Sequence, residues 1–247
     1  MNHPWQDIPL DDYENHMLLD SVGQLRALNR IMKDQLEARP VRTAMVLGAA
    51  GGNGLEHIRK EKYDTVWAVD INEAYLKAAA ERHAGLRDIL RFLCLDLAKN
   101  ADQLPQADLV IADLLVEYIG YDAFRQVLRR VDPEWVSCVI QINTDEAEWV
   151  SDSPYLHAFD RLDEVHHQME ENVLTEVLKS IGYEEILRTD TPLPNGKKLV
   201  RLDENEEDRW VCCYTVLTAG IDTWPESIGI GTEQGEILRV QIKQPEV

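Results

Sequence analysis

The central part of the chain alternates short apolar runs with stretches of helical periodicity. The apolar runs are continuous, which is typical of strands that are buried on both faces of a parallel sheet. We predict five such strands, at residues 44–47, 65–69, 90–95, 109–112 and 136–142. Helices are predicted between them at residues 55–60, 72–83 and 121–130. This order predicts a doubly wound, mostly parallel α/β fold.

The segments that flank this alternation carry other patterns. Before it, Leu18, Val22, Leu25, Met32 and Leu36 recur at helical spacing and predict one amphipathic helix over residues 12–37. After it, a loop is predicted at residues 143–160 and a helix at 162–180. Two of the three strand-like runs that follow are expected to close the sheet as an antiparallel hairpin, and the pattern leaves open which two of 183–188, 198–202 and 210–217 they are.

These patterns divide the chain into three parts. Residues 1–40 form a predicted N-terminal helical cap, residues 41–218 the α/β domain, and residues 219–247 a tail. The tail contains an apolar run at 237–242, which we interpret as an additional edge strand. Such a strand also offers an interface, so a homodimer stays an open option.

The charge of the chain narrows the choice of partners. The 247 residues include 25 Lys and Arg against 45 Asp and Glu, a formal net charge of −20. Nucleic acids and anionic membranes repel such a chain, so neither is an expected partner. No apolar stretch is long enough to predict a membrane-spanning helix. We therefore expect a cytoplasmic protein with a small, neutral or cationic substrate.

A glycine-rich turn follows the first predicted strand. It includes Gly48, Ala49, Ala50, Gly52 and Asn53, and such small residues let the backbone approach a ligand closely. Neither GxxxxGK[ST] nor GxGxxG is present, which disfavours ATP and NAD. The common ligand that remains for this turn is an adenosyl group without phosphates. A tight turn without a ligand is the structural alternative.

Acidic residues end the next three strands. Asp70 ends the second strand, where a carboxylate can accept hydrogen bonds from both ribose hydroxyls. Asp96 ends the third strand, close to the expected position of an adenine ring, and Asp113 ends the fourth. Asp70 and Asp96 are also suited to cap the helices that follow them, and the two roles are compatible.

The glycine turn followed by Asp70, Asp96 and Asp113 resembles class I S-adenosylmethionine-dependent methyltransferases over residues 41–218. The resemblance implies a seven-stranded Rossmann-like fold, S-adenosyl-L-methionine as cofactor, and a cofactor site that also includes Ile71, Leu97 and Leu114. One position departs from the family pattern: Val46 stands where the family usually has an acidic residue that organises the methionine end. Tyr13–Met17 and Glu117–Gly120 resemble a group of uncharacterised bacterial members, which implies no particular substrate.

The family resemblance also directs attention to an acceptor site. Its candidate residues are Tyr13, His16, Glu117, Tyr118 and His166, with His166 as a candidate base. Each also has an ordinary interpretation as a capping, helix-start or surface residue. The adjacent His166 and His167 do not predict a metal site, because neighbouring helical residues point apart.

Taken together, these features predict in-line methyl transfer to a small molecule. Two alternatives stay open at this point. One is a non-catalytic domain of the same fold that binds an adenosyl ligand or another protein, and the other is a nucleotide-dependent oxidoreductase.

Overall fold

The computed structural model describes residues 3–143 and 149–206, together with the backbone of residues 227–231 and 237–241. The main sheet consists of seven strands: β1 (Thr43–Leu47), β2 (Thr65–Asp70), β3 (Leu90–Cys94), β4 (Leu109–Asp113), β5 (Trp135–Ile142), β6 (Tyr183–Pro192) and β7 (Lys198–Glu206). The helices are α1 (Pro4–Asp7), α2 (Leu10–Leu18), α3 (Gln24–Ala38), α4 (Glu73–Arg82), α5 (Leu97–Asn100), α6 (Val116–Val131) and α7 (Glu171–Lys179). In the described residues no helix is both long and apolar enough to cross a membrane.

The strand order is β3-β2-β1-β4-β5-β7-β6. The first five strands pair in parallel, and β7 pairs antiparallel with both β5 and β6. The predicted fold class is therefore confirmed, and β6 and β7 are the two strands of the closing hairpin. The order reverses at β1 and β4, so the loops after these strands diverge and leave a crevice where α/β folds bind ligands.

The central strands β1, β4 and β5 are buried on both faces, as their continuous apolar runs predicted, whereas the edge strands β3 and β6 are partly exposed. On one face Met45, Val110 and Ile140 pack with Phe124 of α6 and Leu174 of α7. The other core cluster joins the sheet to α3 and is formed by buried residues that include Met32, Leu36, Val46, Val66 and Ile111. Strands packed in this way form a rigid platform for the loops at their carboxyl ends.

The N-terminal region differs from its prediction. The single helix expected over residues 12–37 is two helices, α2 and α3, separated by a turn at residues 19–23. The amides of Val22 and Gly23 donate to the carbonyl of Leu19 in this turn. Gly23 has a φ of 69°, a left-handed conformation that glycine adopts readily. The apolar stripe concealed the break because Val22 is fully buried in the turn itself.

Two other predicted helices are also wrong in extent. The glycine turn leads into a short 3₁₀ turn, Leu55–His57, in place of the helix expected at 55–60. The helix expected at 162–180 is a 3₁₀ segment, Leu156–Glu164, followed by α7. Both changes matter for function, because the first removes a helix N-terminus behind the turn and the second places residues 165–170 in a loop.

The chain divides into two compact units, residues 1–207 and 208–247. In the second unit β8 (Ser227–Gly231) and β9 (Ile237–Gln241) pair antiparallel as a two-stranded sheet. The strand predicted at 237–242 corresponds to β9, which pairs with β8. The strand predicted at 210–217 lies outside the described residues, and the domain boundaries at 40 and 218 stay predictions.

Candidate functional site

A cleft lies at the carboxyl ends of β1, β2, β3 and β4. We call it the strand-end cleft; it encloses about 690 Å³, its open mouth included. Eight residues that the sequence assigned to a cofactor line it: Gly48, Ala50, Asp70, Ile71, Asp96, Leu97, Asp113 and Leu114. The described lining contains no lysine or arginine.

Asp70 holds the glycine turn through a hydrogen bond to its backbone. Its Oδ2 accepts a hydrogen bond from the amide of Ala50 at 2.8 Å, and its Oδ1 accepts one from the amide of Asn72, also at 2.8 Å. The side chain is 8% exposed, and this burial raises its pKa above the usual range. The helix-capping role belongs to Asn72, whose Oδ1 accepts from the amides of Ala74 and Tyr75. Asp70 therefore builds the turn and also faces the cleft.

Asp96 caps a helix and also lines the cleft. Its Oδ1 accepts from the amide of Ala98 at 3.1 Å and caps α5, and its Oδ2 pairs with Lys99 Nζ at 2.6 Å. The same residue lines the strand-end cleft. An incoming hydrogen-bond donor at this position competes with an exposed lysine, which is a weak competitor in water.

A smaller cavity of about 490 Å³ adjoins the glycine turn. This glycine-turn cavity is lined by Ala49 and Asn53 from the sequence-predicted set and shares Gly48, Ala50 and Asp113 with the strand-end cleft. Val46 also lines it. The cavity therefore lies at the position where the family pattern has an acidic residue and this chain does not.

Asp113 is the carboxyl group that serves both spaces. Its Oδ1 accepts from Gln35 Nε2 at 2.8 Å, whereas its buried Oδ2 has no hydrogen-bond partner within the described part of the chain. Burial raises the pKa of Asp113 to about 7, and the hydrogen bond from Gln35 opposes this shift. Next to it Leu114 has a φ of 52°, a strained conformation for a residue with a side chain. Its amide donates to the Val139 carbonyl at 2.8 Å, which holds the end of β4 in place.

The glycine turn includes two predicted residues with mainly structural contacts. Gly52 lines none of the cavities described here, and its carbonyl lies 2.9 Å from the ring nitrogen Nε2 of His83. Asn53 donates to the carbonyl of Leu25 and accepts from Asn29 Nδ2, each at 3.0 Å. Asn53 thus ties the turn to α3, and the polar Asn29 within the apolar stripe of α3 is explained by this contact.

The five predicted acceptor-site residues line one further space, the aromatic cavity. They are Tyr13, His16, Glu117, Tyr118 and His166, and they surround about 660 Å³ together with Trp5, Trp149 and Phe159. The ring centroids of Trp5 and Tyr118 are 4.8 Å apart at 86°, and the Trp149 and His166 rings stack at 3.8 Å. Residues far apart in the chain therefore enclose one small chamber.

Glu117 is the buried acid of this chamber. It is 5% exposed, and its Oε2 has no hydrogen-bond partner in the residues described. Burial raises the pKa of Glu117 to about 8, against a smaller opposite effect from the backbone amides of Glu117 and Gln141. Glu117 is the second residue of α6, and the non-helical Gly120, at φ 76° and ψ 164°, separates this first turn from the rest of the helix. His167 donates its backbone N–H to the Glu117 carbonyl at 2.7 Å, which anchors the 165–170 loop here.

Both candidate histidines, His16 and His166, have a lowered pKa. The ring Nδ1 of His16 lies 2.8 Å from Ser153 Oγ, and burial lowers the pKa of this histidine. Burial also lowers the pKa of His166 to about 4, with a further lowering by His167. Both rings are therefore uncharged at neutral pH. A ring with a pKa near 4 is a weak base, so His166 is less suited to proton removal than the sequence suggested.

The strand-end cleft and the aromatic cavity share a wall. Trp5, Tyr13, Leu114 and Tyr118 line both. Tyr13 also lines the glycine-turn cavity, so three spaces converge on one side chain. Burial raises the pKa of Tyr13 and of Tyr118, so neither phenol is ionised at neutral pH.

Comparison with known proteins adds one result at the level of the fold. No protein-family model matches this sequence. No curated protein matches it either. Among solved structures, magnesium protoporphyrin IX methyltransferase from Synechocystis PCC 6803, with bound SAH, is 11% identical with a TM-score of 0.59, over 80% of this chain and 94% of that one.

Two further structures have similar scores. The N-methyltransferase NodS from Bradyrhizobium japonicum WM9, in complex with S-adenosyl-L-homocysteine, is 12% identical with a TM-score of 0.56, over 79% of this chain and 96% of that one. The cyclase SpnF is 13% identical with a TM-score of 0.56, over 73% of this chain and 81% of that one. This chain has the class I methyltransferase fold.

Within this methyltransferase fold, several cavity residues were not predicted from the sequence. They include Trp5, Gln24, Tyr75, Gln141 and Trp149. Trp5 and Trp149 are lone tryptophans in polar surroundings, a signal that would have justified closer attention. Gln24 and Gln141 gave no signal in the sequence, because their position in the lining depends on how α3 and β5 pack in the fold. The described residues contain no group of three side chains suited to hold a metal ion.

Proposed function

We propose that this chain is an S-adenosylmethionine-dependent methyltransferase that acts on a small molecule. The observation that carries this proposal is the wall shared by the strand-end cleft and the aromatic cavity. A cofactor on one side and an acceptor on the other would meet at Tyr13, Leu114 and Tyr118. The small volume of the aromatic cavity favours a small molecule over a polymer.

The composition of the strand-end cleft fits an adenosyl ligand better than a nucleotide with phosphates. Its described lining offers Asp70, Asp96 and Asp113 and no lysine or arginine. The glycine turn leads to the three-residue 3₁₀ turn Leu55–His57, so no long helix presents its N-terminus to a pyrophosphate. Both observations count against the oxidoreductase alternative, because that chemistry needs a phosphate-bearing cofactor.

Residues at either end of the cleft would hold the cofactor. Asp70, Asp96 and Leu97 line this cleft; in the proposed complex Asp70 would accept from the ribose, and Asp96 with Leu97 would contact the adenine. We further propose that Asp113 binds the methionine end of the cofactor, the role of the acidic residue that Val46 replaces. Its unpartnered Oδ2 and the adjoining glycine-turn cavity suit the ammonium group of the methionine end. An ammonium there would donate to Oδ2, the carboxyl oxygen that has no donor among the described residues.

The protein contributes position and exclusion of water. When bound, the cofactor supplies a methyl group on a positively charged sulfur, which becomes a neutral thioether when the methyl leaves. Trp5, Tyr13 and Tyr118 form the wall at which the acceptor must be aligned, and alignment of this kind can contribute roughly 7–11 kcal/mol. Their faces also favour a cation next to them.

Isothermal titration calorimetry with S-adenosylmethionine, S-adenosylhomocysteine and NAD tests the proposal. We expect micromolar binding of the two adenosyl ligands and none of NAD. Asp113→Asn should weaken the binding of both by about 10- to 150-fold, because a hydrogen bond to a charged group contributes roughly 1.5–3 kcal/mol. Absence of adenosyl binding would refute the proposed cofactor, and unchanged affinity in the variant would remove Asp113 from the ammonium site. Binding without turnover of any acceptor would favour the non-catalytic alternative.

A further inference from the structure

The walls of the aromatic cavity suit a positively charged guest. Five of its described lining residues are Trp5, Tyr13, Tyr118, Trp149 and Phe159. The faces of aromatic rings carry negative electrostatic potential and attract ammonium groups, most strongly where water is excluded. The edge-to-face contact of Trp5 and Tyr118 and the stack of Trp149 on His166 hold these rings in defined orientations.

The described lining of the cavity includes one carboxyl group, that of Glu117. Glu117 is its buried carboxyl group, with an Oε2 that finds no donor in the described residues. No lysine or arginine belongs to the described lining. The nearby Lys197 directs its Nζ to the Trp149 carbonyl at 2.7 Å and to Ser151 Oγ at 3.4 Å. An anionic guest would thus meet a carboxyl group with no cation in the described lining to offset it.

The histidines do not compete for this carboxyl group. His16 contacts Ser153, and His166 stacks on Trp149. Both are neutral at physiological pH because burial lowers the pKa of each ring. Within residues 3–143 and 149–206 no side chain or amide donates to Glu117 Oε2, so a guest with an N–H can fill this role.

We propose, on the basis of the function proposed above, that the methyl acceptor is a small amine with an apolar body, whose nitrogen is held at Glu117 and whose body packs against the aromatic walls. The amine enters as an alkylammonium ion, which expels to water the proton that Glu117 carries at neutral pH and donates a hydrogen bond to the resulting carboxylate. Glu117 then accepts one proton from it, which leaves a neutral nitrogen with a free lone pair. That lone pair forms the new C–N bond as the S–CH₃ bond breaks, and the released proton passes from Glu117 to water.

Binding of matched amines and alcohols tests this inference without turnover. The probes are butylamine, 2-phenylethylamine and tryptamine, each compared with the alcohol of the same skeleton, and phenylacetate serves as the anion. Titrations follow binding by calorimetry, with and without S-adenosylhomocysteine, and are repeated for the non-indole probes by the total tryptophan fluorescence, to which Trp5 and Trp149 of the cavity contribute. We expect at least one amine to bind about 10- to 100-fold more tightly than its alcohol, and phenylacetate not to bind.

Glu117→Gln should abolish this preference for amines while the affinity for S-adenosylhomocysteine stays unchanged. The matched control is Glu204→Gln, because Glu204 is also a fully buried acid with unpartnered oxygens but lies on β7 outside the aromatic cavity. This control should keep the amine preference. If no amine binds, if alcohols bind equally well, or if the preference survives in Glu117→Gln, the inference is wrong.

Failure of the proposed function gives a different result. If the proposed cofactor is wrong, S-adenosylhomocysteine will not bind, independently of whether the amines bind. If Glu117→Gln does not fold, the comparison of amines, alcohols and phenylacetate on the unmodified protein still decides the question.

Discussion

Replacing Asp70 by alanine separates the structural from the ligand-binding work of this residue. Two backbone amides, those of Ala50 and Asn72, donate to Asp70 at 2.8 Å each. Alanine leaves both donors without a partner in a site that is 8% exposed. Each buried donor left in this way costs about 1–3 kcal/mol. The free energy of unfolding should therefore fall by about 2–6 kcal/mol.

The lower half of that range is the better expectation. Burial raises the pKa of Asp70, which means that the folded protein already holds this carboxylate at some cost. Urea unfolding followed by circular dichroism measures the change, and an unaltered slope would show that the folded state is otherwise intact. Affinity for S-adenosylhomocysteine is measured on the same variant under conditions where it is folded.

Asp96→Ala is the matched control, because Asp96 lines the same cleft and holds no part of the glycine turn. It caps α5 through one amide and pairs with an exposed lysine, so its loss should cost about 0.5–2 kcal/mol. A loss below about 0.5 kcal/mol in Asp70→Ala, or one no larger than that in Asp96→Ala, would refute the argument that Asp70 builds the turn.

Two further predictions follow from single groups. Burial raises the pKa of Glu117 to about 8, so binding of an alkylammonium at lower pH must expel a proton. The affinity for the amine should therefore rise about tenfold per pH unit between pH 6 and 8 and level off above pH 8, whereas it should not change with pH in Glu117→Gln. A flat profile in the unmodified protein would contradict this prediction. The other titratable groups that face it are Tyr13, His16, Asp113, Tyr118, His166 and His167. Gly54→Ala should lower the free energy of unfolding, measured in urea, by about 2–5 kcal/mol. The reason is that Gly54 has a φ of 90° and that an added Cβ would lie 2.5 Å from Met32 Cγ. The control is Gly85→Ala, where a Cβ would meet no heavy atom of a non-neighbouring residue within 4 Å, and the free energy of unfolding should change by less than about 0.5 kcal/mol. Equal effects of the two alanines would refute the steric argument.

The sheet was predictable because its signal is local. Runs such as Ala44–Leu47 and Leu109–Ala112 are apolar at every position, and burial on both faces permits nothing else. The helices at the ends were less predictable because their breaks are tertiary. Val22 continues the apolar stripe of α2 and α3 although it lies in the turn between them, and a periodicity argument cannot separate a buried turn from a buried helical position.

In the candidate site, too, the residues with a local signal were predicted and those that depend on tertiary contacts were missed. The acids that end β2, β3 and β4 were found from the sequence because strand ends in a parallel sheet share one edge. The aromatic walls were found only in part, because Trp149 and His166 come together through a loop where the sequence predicted a helix. Gln35, which donates to Asp113, is buried on α3 and gave no sign of this contact in the sequence.

The N-terminal segment is the part of this methyltransferase fold that joins the separate spaces. Tyr13 on α2 contacts Trp5 edge-to-face at 5.7 Å and stacks near Tyr75 of α4 at 6.1 Å. It lines the strand-end cleft, the glycine-turn cavity and the aromatic cavity, so α1 and α2 contribute as much as the sheet to the wall between these spaces. These short helices contact the sheet domain through a few side chains, such as Tyr75, whose hydroxyl donates to the Ile8 carbonyl at 2.9 Å. Through the packing of these helices, a ligand in the strand-end cleft and a ligand in the aromatic cavity can influence the binding of each other.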